Sequence, residues 1–279
     1  TCSNKHGGEV GCFIGGDSTS NTNQDAHMML PVIKWCTITR NGVMGETGEI
    51  RIDAAKRYLS DAGLDLVVDF NLADYNGAIA GQSSLVPLLP FGGGHTRALV
   101  VANTRALWHN FVAALEEDPA LRGSADPLDD YVSSRLVAAA AMLHCDTKVY
   151  TAEMDQDPLV SMVAAGSVAG LGVLGPAMML VHPNHGPWIG IRGVIALDVR
   201  PISASTVAVD HCVDCSAPCK TALDDVLLSM KRPTVDLNNW RRWLAVREAC
   251  PVGTASEYGP NQTAYHYTKN RAALAFDSE

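Results

Sequence analysis

Residues 170–197, GLGVLGPAMMLVHPNHGPWIGIRGVIAL, decide how the chain is read. Gly170, Gly172 and Gly175 fit the G-x-G-x-x-G spacing of a dinucleotide-binding turn, and Asp198 follows where a ribose-binding acid might be sought. Context excludes that reading. Such a turn follows a strand and opens a helix whose N-terminus faces the pyrophosphate. Here the glycines follow an Ala-rich helical run, Met162 to Ala169, and Pro176, Pro183, Gly186 and Pro187 forbid a helix beyond them. What remains is helix, glycine turn, short apolar strand (Met178 to Val181), polar loop (His182 to Pro187) and second strand (Trp188 to Leu197). Arg192 is the only charge in that second strand. It either faces solvent on an edge strand or is held in a polar cavity as an anion clamp, since an unpaired buried guanidinium is costly.

The flanking chain alternates helical and strand patterns without internal repeats. Ile50 to Ala62 places Ile52, Ala55, Leu59 and Ala62 on one helical face and stops at Gly63. Leu64 to Phe70 and Arg97 to Asn103 read as strands, the latter buried by its apolar run. Thr104 to Glu117 reads as a helix with a threonine N-cap, and Asp126 to Met142 as one entered through a proline. Lys148 to Glu153 is a strand, and Asp157 to Ala169 the helix that leads into the glycines. Beyond Val199 come helices over Thr221 to Met230 and Trp240 to Ala249, then a tail rich in Tyr258, Tyr265, His266 and Tyr267. The pattern is that of one α+β or α/β domain. Residues 1–48, rich in Gly, Ser, Thr and Asn, read as a surface extension, with a strand-like run from Leu30 to Thr39; residues 49–279 are the domain proper.

A net charge of -9 over 279 residues argues against nucleic acid and anionic membranes as partners. No apolar run reaches the length of a transmembrane helix. The sequence-level expectation is a cytoplasmic protein, or an organellar one after processing of its N-terminus. Small-molecule ligands are its expected partners, with a homodimer or a place in a larger assembly left open.

The eight cysteines are not spaced as a secreted disulfide scaffold. His6, Cys12, His27 and Cys36 lack any tight ligand spacing. Cys212-x2-Cys215-x3-Cys219 with a distant Cys250-Pro251 is the most metal-like set, and thiolates so placed suit zinc or an iron–sulfur cluster. The same four are equally readable as reduced or disulfide-paired thiols beside a loop.

Residues 181–194, VHPNHGPWIGIRGV, resemble the core signature of the cobalamin-processing family known as CblC. The segment VAGLGVLGPAMMLVHPNHGPW is similar to the matching region of cobalamin-dependent epoxyqueuosine reductases and reductive dehalogenases. The tail NWRRWLAVREACPVGTASEYGPNQTAYHYTKNRAAL resembles that of CblC, and weaker matches lie at 49–76 and 126–139. The resemblance implies a nitroreductase-like α+β fold, a mixed sheet flanked by helices. It implies cobalamin bound base-off near Gly170, Gly172, His182, Gly186 and Trp188, without a histidine on cobalt. It also implies glutathione held by Arg192, Arg247 and Arg271, which suits the chemistry, because each guanidinium pairs with a carboxylate in a fork. The implied activity removes the upper cobalt ligand, by transfer to the glutathione thiolate or by reductive decyanation with reduced flavin (FMN). Ser167 departs from the family, which has a histidine there. Two alternatives stand: an iron–sulfur, cobalamin-dependent reductase, argued from the cysteines, and a catalytically idle structural subunit.

Overall fold

The run Arg97–Asn103 (β3) is buried at every residue, which only a central strand allows. The computed structural model describes residues 37–38, 46–91, 96–152, 159–203, 207–229 and 238–277. In it, β3 lies between β2 (Leu66–Asn71) and β7 (Gly190–Leu197). Beyond β7 come β4 (Thr147–Thr151) and β1 (Thr37–Ile38), so the five-stranded order is β1-β4-β7-β3-β2. All four ladders are antiparallel. The mixed sheet expected from sequence is thus an antiparallel one, and its central strands still lack polar alternation because both faces are covered.

Alternate residues of β3 and β7 enter two cores. Leu99, Val101, Ile195 and Leu197 face α1 (Glu46–Asp61), α3 (Ala106–Glu117) and α5 (Pro127–Met142). Ala98, Val100, Ala102, Val194 and Ala196 face α2 (Leu72–Ala78) and α6 (Met162–Val168). Each large apolar side chain buried this way contributes roughly 1.5–3 kcal/mol.

Local signals set the helix limits. Pro127 opens α5, with Asp129 and Asp130 in the first turn, where the helix dipole favours acids. Between α3 and α5 a short helix, α4 (Pro119–Gly123), is capped by Asp118. Thr104 sits just before α3 and accepts the Ala106 N–H at 3.2 Å. Ser161 caps α6 by accepting from Ala164, and Gly170 ends it at φ 72°.

The remaining elements form a third, smaller cluster. A hairpin of β5 (Val173–Leu174) and β6 (Leu180–Val181) packs with α7 (Pro218–Ser229) and α8 (Trp240–Glu248). The tail returns to the main body as α9 (Pro260–Thr268), whose Tyr265 is buried in the first core. Of the proposed N-terminal extension, Thr37–Ile38 pairs with β4, and α1 starts at Glu46, just inside the expected boundary. The rest of that segment, including His6, Cys12, His27 and Cys36, lies outside the described residues. No described helix is long and apolar enough to cross a membrane.

Candidate anion-binding pocket

Arg192 owes its position to a break in the β3–β7 ladder. Val101 pairs with Gly193 and Ala102 with Ile191, so Arg192 is the extra residue of a bulge. A bulge re-aims one side chain out of the alternating pattern. The glycines around it make this possible. A Cβ at Gly190 would sit 2.9 Å from Asn103 Oδ1 and 3.1 Å from an Arg192 guanidinium nitrogen, and one at Gly193 would strike the Tyr150 carbonyl at 2.6 Å. Arg192 Nε donates to Asn103 Oδ1 at 2.6 Å, and one terminal nitrogen lies 3.4 Å from His266 Nε2.

Arg247, in the last turn of α8, meets Arg192 from the other side of a cavity of about 260 Å³. Ile189 and Gly190 line it from the strand, and Tyr258, His266 and Tyr267 from the tail. The Arg247 guanidinium lies 5.5 Å from the Trp188 ring, 5.6 Å from Tyr258 and 5.9 Å from Tyr267. Its Nε is buried without a hydrogen-bond partner, as is the Tyr258 hydroxyl.

The electrostatics are unusual for a protein interior. Burial lowers the Arg192 pKa, and the charge of Arg247 lowers it further, against raising effects from Tyr258, Asp129 and Asp126. His266 is pushed well below the usual histidine range, by burial first and then by Arg192, Arg247 and Lys269. It is therefore neutral, and its Nε2 is available to accept from Arg192. Among the described residues neither arginine has a carboxylate within ion-pairing distance. Asp129 shares a small cavity with Arg192 but lies beyond ion-pairing distance, so two half-buried guanidiniums face one cavity without an ion-paired carboxylate, an arrangement that an anion would stabilise.

The neighbouring loop is locked to the tail. His182 and Gly186 exchange backbone hydrogen bonds at 2.8 and 2.9 Å. A Cβ at Gly186 would lie 1.9 Å from the Val252 carbonyl oxygen, and one at Gly253 would lie 2.1 Å from the His185 carbonyl carbon. His182 Nδ1 accepts from the Asn184 and His185 amides at 3.1 and 3.2 Å, so its ring proton is on Nε2. Burial, then the charge of His185, lowers its pKa to about 4. Both ring nitrogens are thereby committed, and the ring as placed offers no lone pair to a metal. His185 shares a 2.8 Å hydrogen bond with Ser256 Oγ.

The structure brings together some of the expected site residues and separates others. Arg192 and Arg247 line one cavity, with Trp188, fully buried, beside Arg247. Arg271 belongs elsewhere: it donates to the carbonyls of Arg122 and of Ser124, the latter at 2.7 Å, and lines a separate cavity of about 330 Å³. Ser167 is exposed on α6, and Gly172 packs on Val181, so neither belongs to the arginine cavity. Asn103, Tyr258, His266 and Tyr267 complete the pocket. The aromatic tail was a sequence signal for the last three. Nothing marked Asn103.

Cys212, Cys215, Cys219 and Cys250 are free thiols, so none is disulfide-paired. Cys219 and Cys250 are buried in the third cluster and Cys212 packs against it. The four feel one another's charge, yet among the described residues no three His, Cys, Asp or Glu side chains form a group able to hold a metal ion. As placed, the thiols do not fit zinc or an iron–sulfur cluster.

Fold and pocket together define a nitroreductase-like α+β protein with a half-buried pocket lined by two arginines. Among solved structures it is similar to the C. elegans B12-trafficking protein CblC, with a TM-score of 0.60 and 16% identity, over 81% of this chain and 96% of that one. Epoxyqueuosine reductases from Streptococcus thermophilus and Bacillus subtilis align with TM-scores of 0.45 and 0.41 and identities of 12% and 15%. They cover 81% and 76% of this chain and 78% and 67% of theirs. No family model and no curated protein sequence matches the chain. At 16% identity the likeness to the C. elegans protein establishes a shared fold.

Proposed function

We propose that this protein binds and processes cobalamin, using the Arg192–Arg247 pocket to hold an anionic thiol co-substrate, glutathione. The observation that carries the reading is the pair of guanidiniums in one cavity with no carboxylate partner. The fold shared with a B12-trafficking protein supports the cobalamin half. The locked 182–186 loop supports it too, since both nitrogens of His182 are committed and cobalt would stay free of that histidine.

In dealkylation the thiolate sulfur attacks the cobalt-bound carbon. The carbon–cobalt bond breaks with its electron pair left on cobalt, and a thioether departs. The arginines fix the co-substrate by its carboxylate and favour the thiolate by their positive field. No protein nucleophile is required. Reductive decyanation with reduced flavin, FMN, is the second activity in the proposal. The iron–sulfur reductase reading has less support, because the four late thiols form no ligand set.

The test is a titration of methyl-, adenosyl- and cyanocobalamin followed by absorbance. The expected result is a shift to a base-off spectrum, with dealkylation of methylcobalamin on adding glutathione. An unchanged spectrum with all three would overturn the cobalamin reading.

A further inference from the structure

Tyr258 is 8% exposed, and its hydroxyl is buried without a hydrogen-bond partner; the residue lines the same cavity as Arg192 and Arg247. The Asn103 side chain is close enough to influence the hydroxyl but makes no well-formed hydrogen bond with it; Asn103 Oδ1 accepts from Arg192, and its amide donates to the Thr104 carbonyl at 2.6 Å. Burial raises the Tyr258 pKa, so the hydroxyl keeps its proton and remains a donor. Arg247 Nε, on the same cavity, is a second orphaned donor. Buried polar groups without partners are rare in native proteins, and each calls for an explanation. Two such donors on a cavity that also holds the Arg192 guanidinium suit one kind of guest, a group that accepts hydrogen bonds and carries negative charge.

We propose that the Tyr258 hydroxyl is the third donor of the pocket, and that the pocket grips a ligand by a single carboxylate rather than by two. The inference rests on the co-substrate site proposed above and narrows its substrate class. With both guanidiniums and the hydroxyl sharing one carboxylate, a second carboxylate would need a further cation, and Arg271, the candidate for that role, spends its guanidinium on the Arg122 and Ser124 carbonyls at a different cavity. Lys269 is also engaged, with Asp126 at 2.7 Å and Asp129 at 3.5 Å. The co-substrate class is therefore a small thiol with one carboxylate available to Arg192, Arg247 and Tyr258; glutathione is one member, and its second carboxylate contributes little.

Calorimetric titrations with glutathione and with N-acetylcysteine, which has one carboxylate, test this on the full chain. Tyr258→Phe is expected to weaken both ligands by about tenfold or more, as for a hydrogen bond to a charged group. The same change is expected to leave the thermal midpoint of the ligand-free protein equal or higher, because it removes an orphan; a merely structural tyrosine would lower it. Arg271→Gln is expected to keep both affinities within about twofold, and N-acetylcysteine to bind within about tenfold of glutathione. Unchanged affinity in Tyr258→Phe, or an Arg271→Gln loss as large as that of Arg192→Gln, overturns the proposal. So does the absence of binding by either thiol to the wild type. If the wild type ignores cobalamin but follows this pattern with thiols, the proposed function fails and the site stands. If it responds to cobalamin while Tyr258→Phe binds thiols normally, the site fails and the function stands.

Discussion

The two ends of β3 treat arginine in opposite ways. At one end Arg97, 7% exposed, donates to Asp69 at 2.6 Å and to Glu49 at 2.7 Å, and Asp69 also takes Lys56. Burial works against the Arg97 charge, but Glu49 and Asp69 outweigh it and its pKa is raised. At the other end Asn103 holds Arg192, which has a neutral histidine and a second arginine for company, and its pKa is lowered. One fold thus pairs Arg97 with two carboxylates and leaves Arg192 and Arg247 without an ion-paired carboxylate among the described residues. On the proposed reading, a bound anion takes that place.

The largest effect expected from breaking this contrast is at the neutralised end. Asp69→Ala should cost about 3 kcal/mol of stability, because it strips a buried guanidinium of its main partner and leaves the exposed Glu49. Urea unfolding checks it, and a loss under about 1 kcal/mol would remove the contrast. At the bare end the cost should fall on ligand binding instead. Arg192→Gln should weaken glutathione by roughly 1.5–3 kcal/mol, one to two decades, in calorimetry. Ligand-free stability should stay equal or rise, since a charge repelled by Arg247 is removed.

How far these features were legible in the sequence depends on what set them. Most of the strands and helices along residues 50–200 followed from period and punctuation, as did the loop at 182–187, but the short helices α2 and α4 did not. Arg192 stood out as the lone charge in an apolar strand. Its inward aim did not, because that depends on a one-residue slip against β3 which no local pattern encodes. The family resemblance placed Arg271 with the other two only through a gap, and the 3-10 turn at Arg271–Ala273 turns it toward α4 instead. The cysteine spacing suggested a ligand set; in the structure Cys219 and Cys250 pack as small apolar groups in the third cluster, with Cys212 against it.

A smaller effect tests the histidines. His182 has a folded pKa near 4 against about 6.5 unfolded. Between those values the unfolded chain takes up a proton that the native one refuses, so stability falls as pH drops from about 6.5 toward 4. His266 acts in the same direction. His182 alone should remove about 1–2 kcal/mol between pH 7 and pH 5, and His266 adds to the loss. Equal urea midpoints at the two pH values would mean that neither ring is held neutral. The smallest effect is expected at the thiols. Cys215→Ser should change stability by about 0.5 kcal/mol or less. A strong chelator should leave the thermal midpoint in place, and a marked drop would show that the four cysteines hold a metal after all.

The central claim is that Arg192 and Arg247 grip one and the same anion. A double-mutant cycle measured by glutathione calorimetry tests it most directly. If both guanidiniums hold a shared carboxylate, the losses in Arg192→Gln and Arg247→Gln will not add, and the double variant will bind about tenfold or more tighter than their sum predicts. Strictly additive losses, or a loss confined to one of the two, would contradict the account.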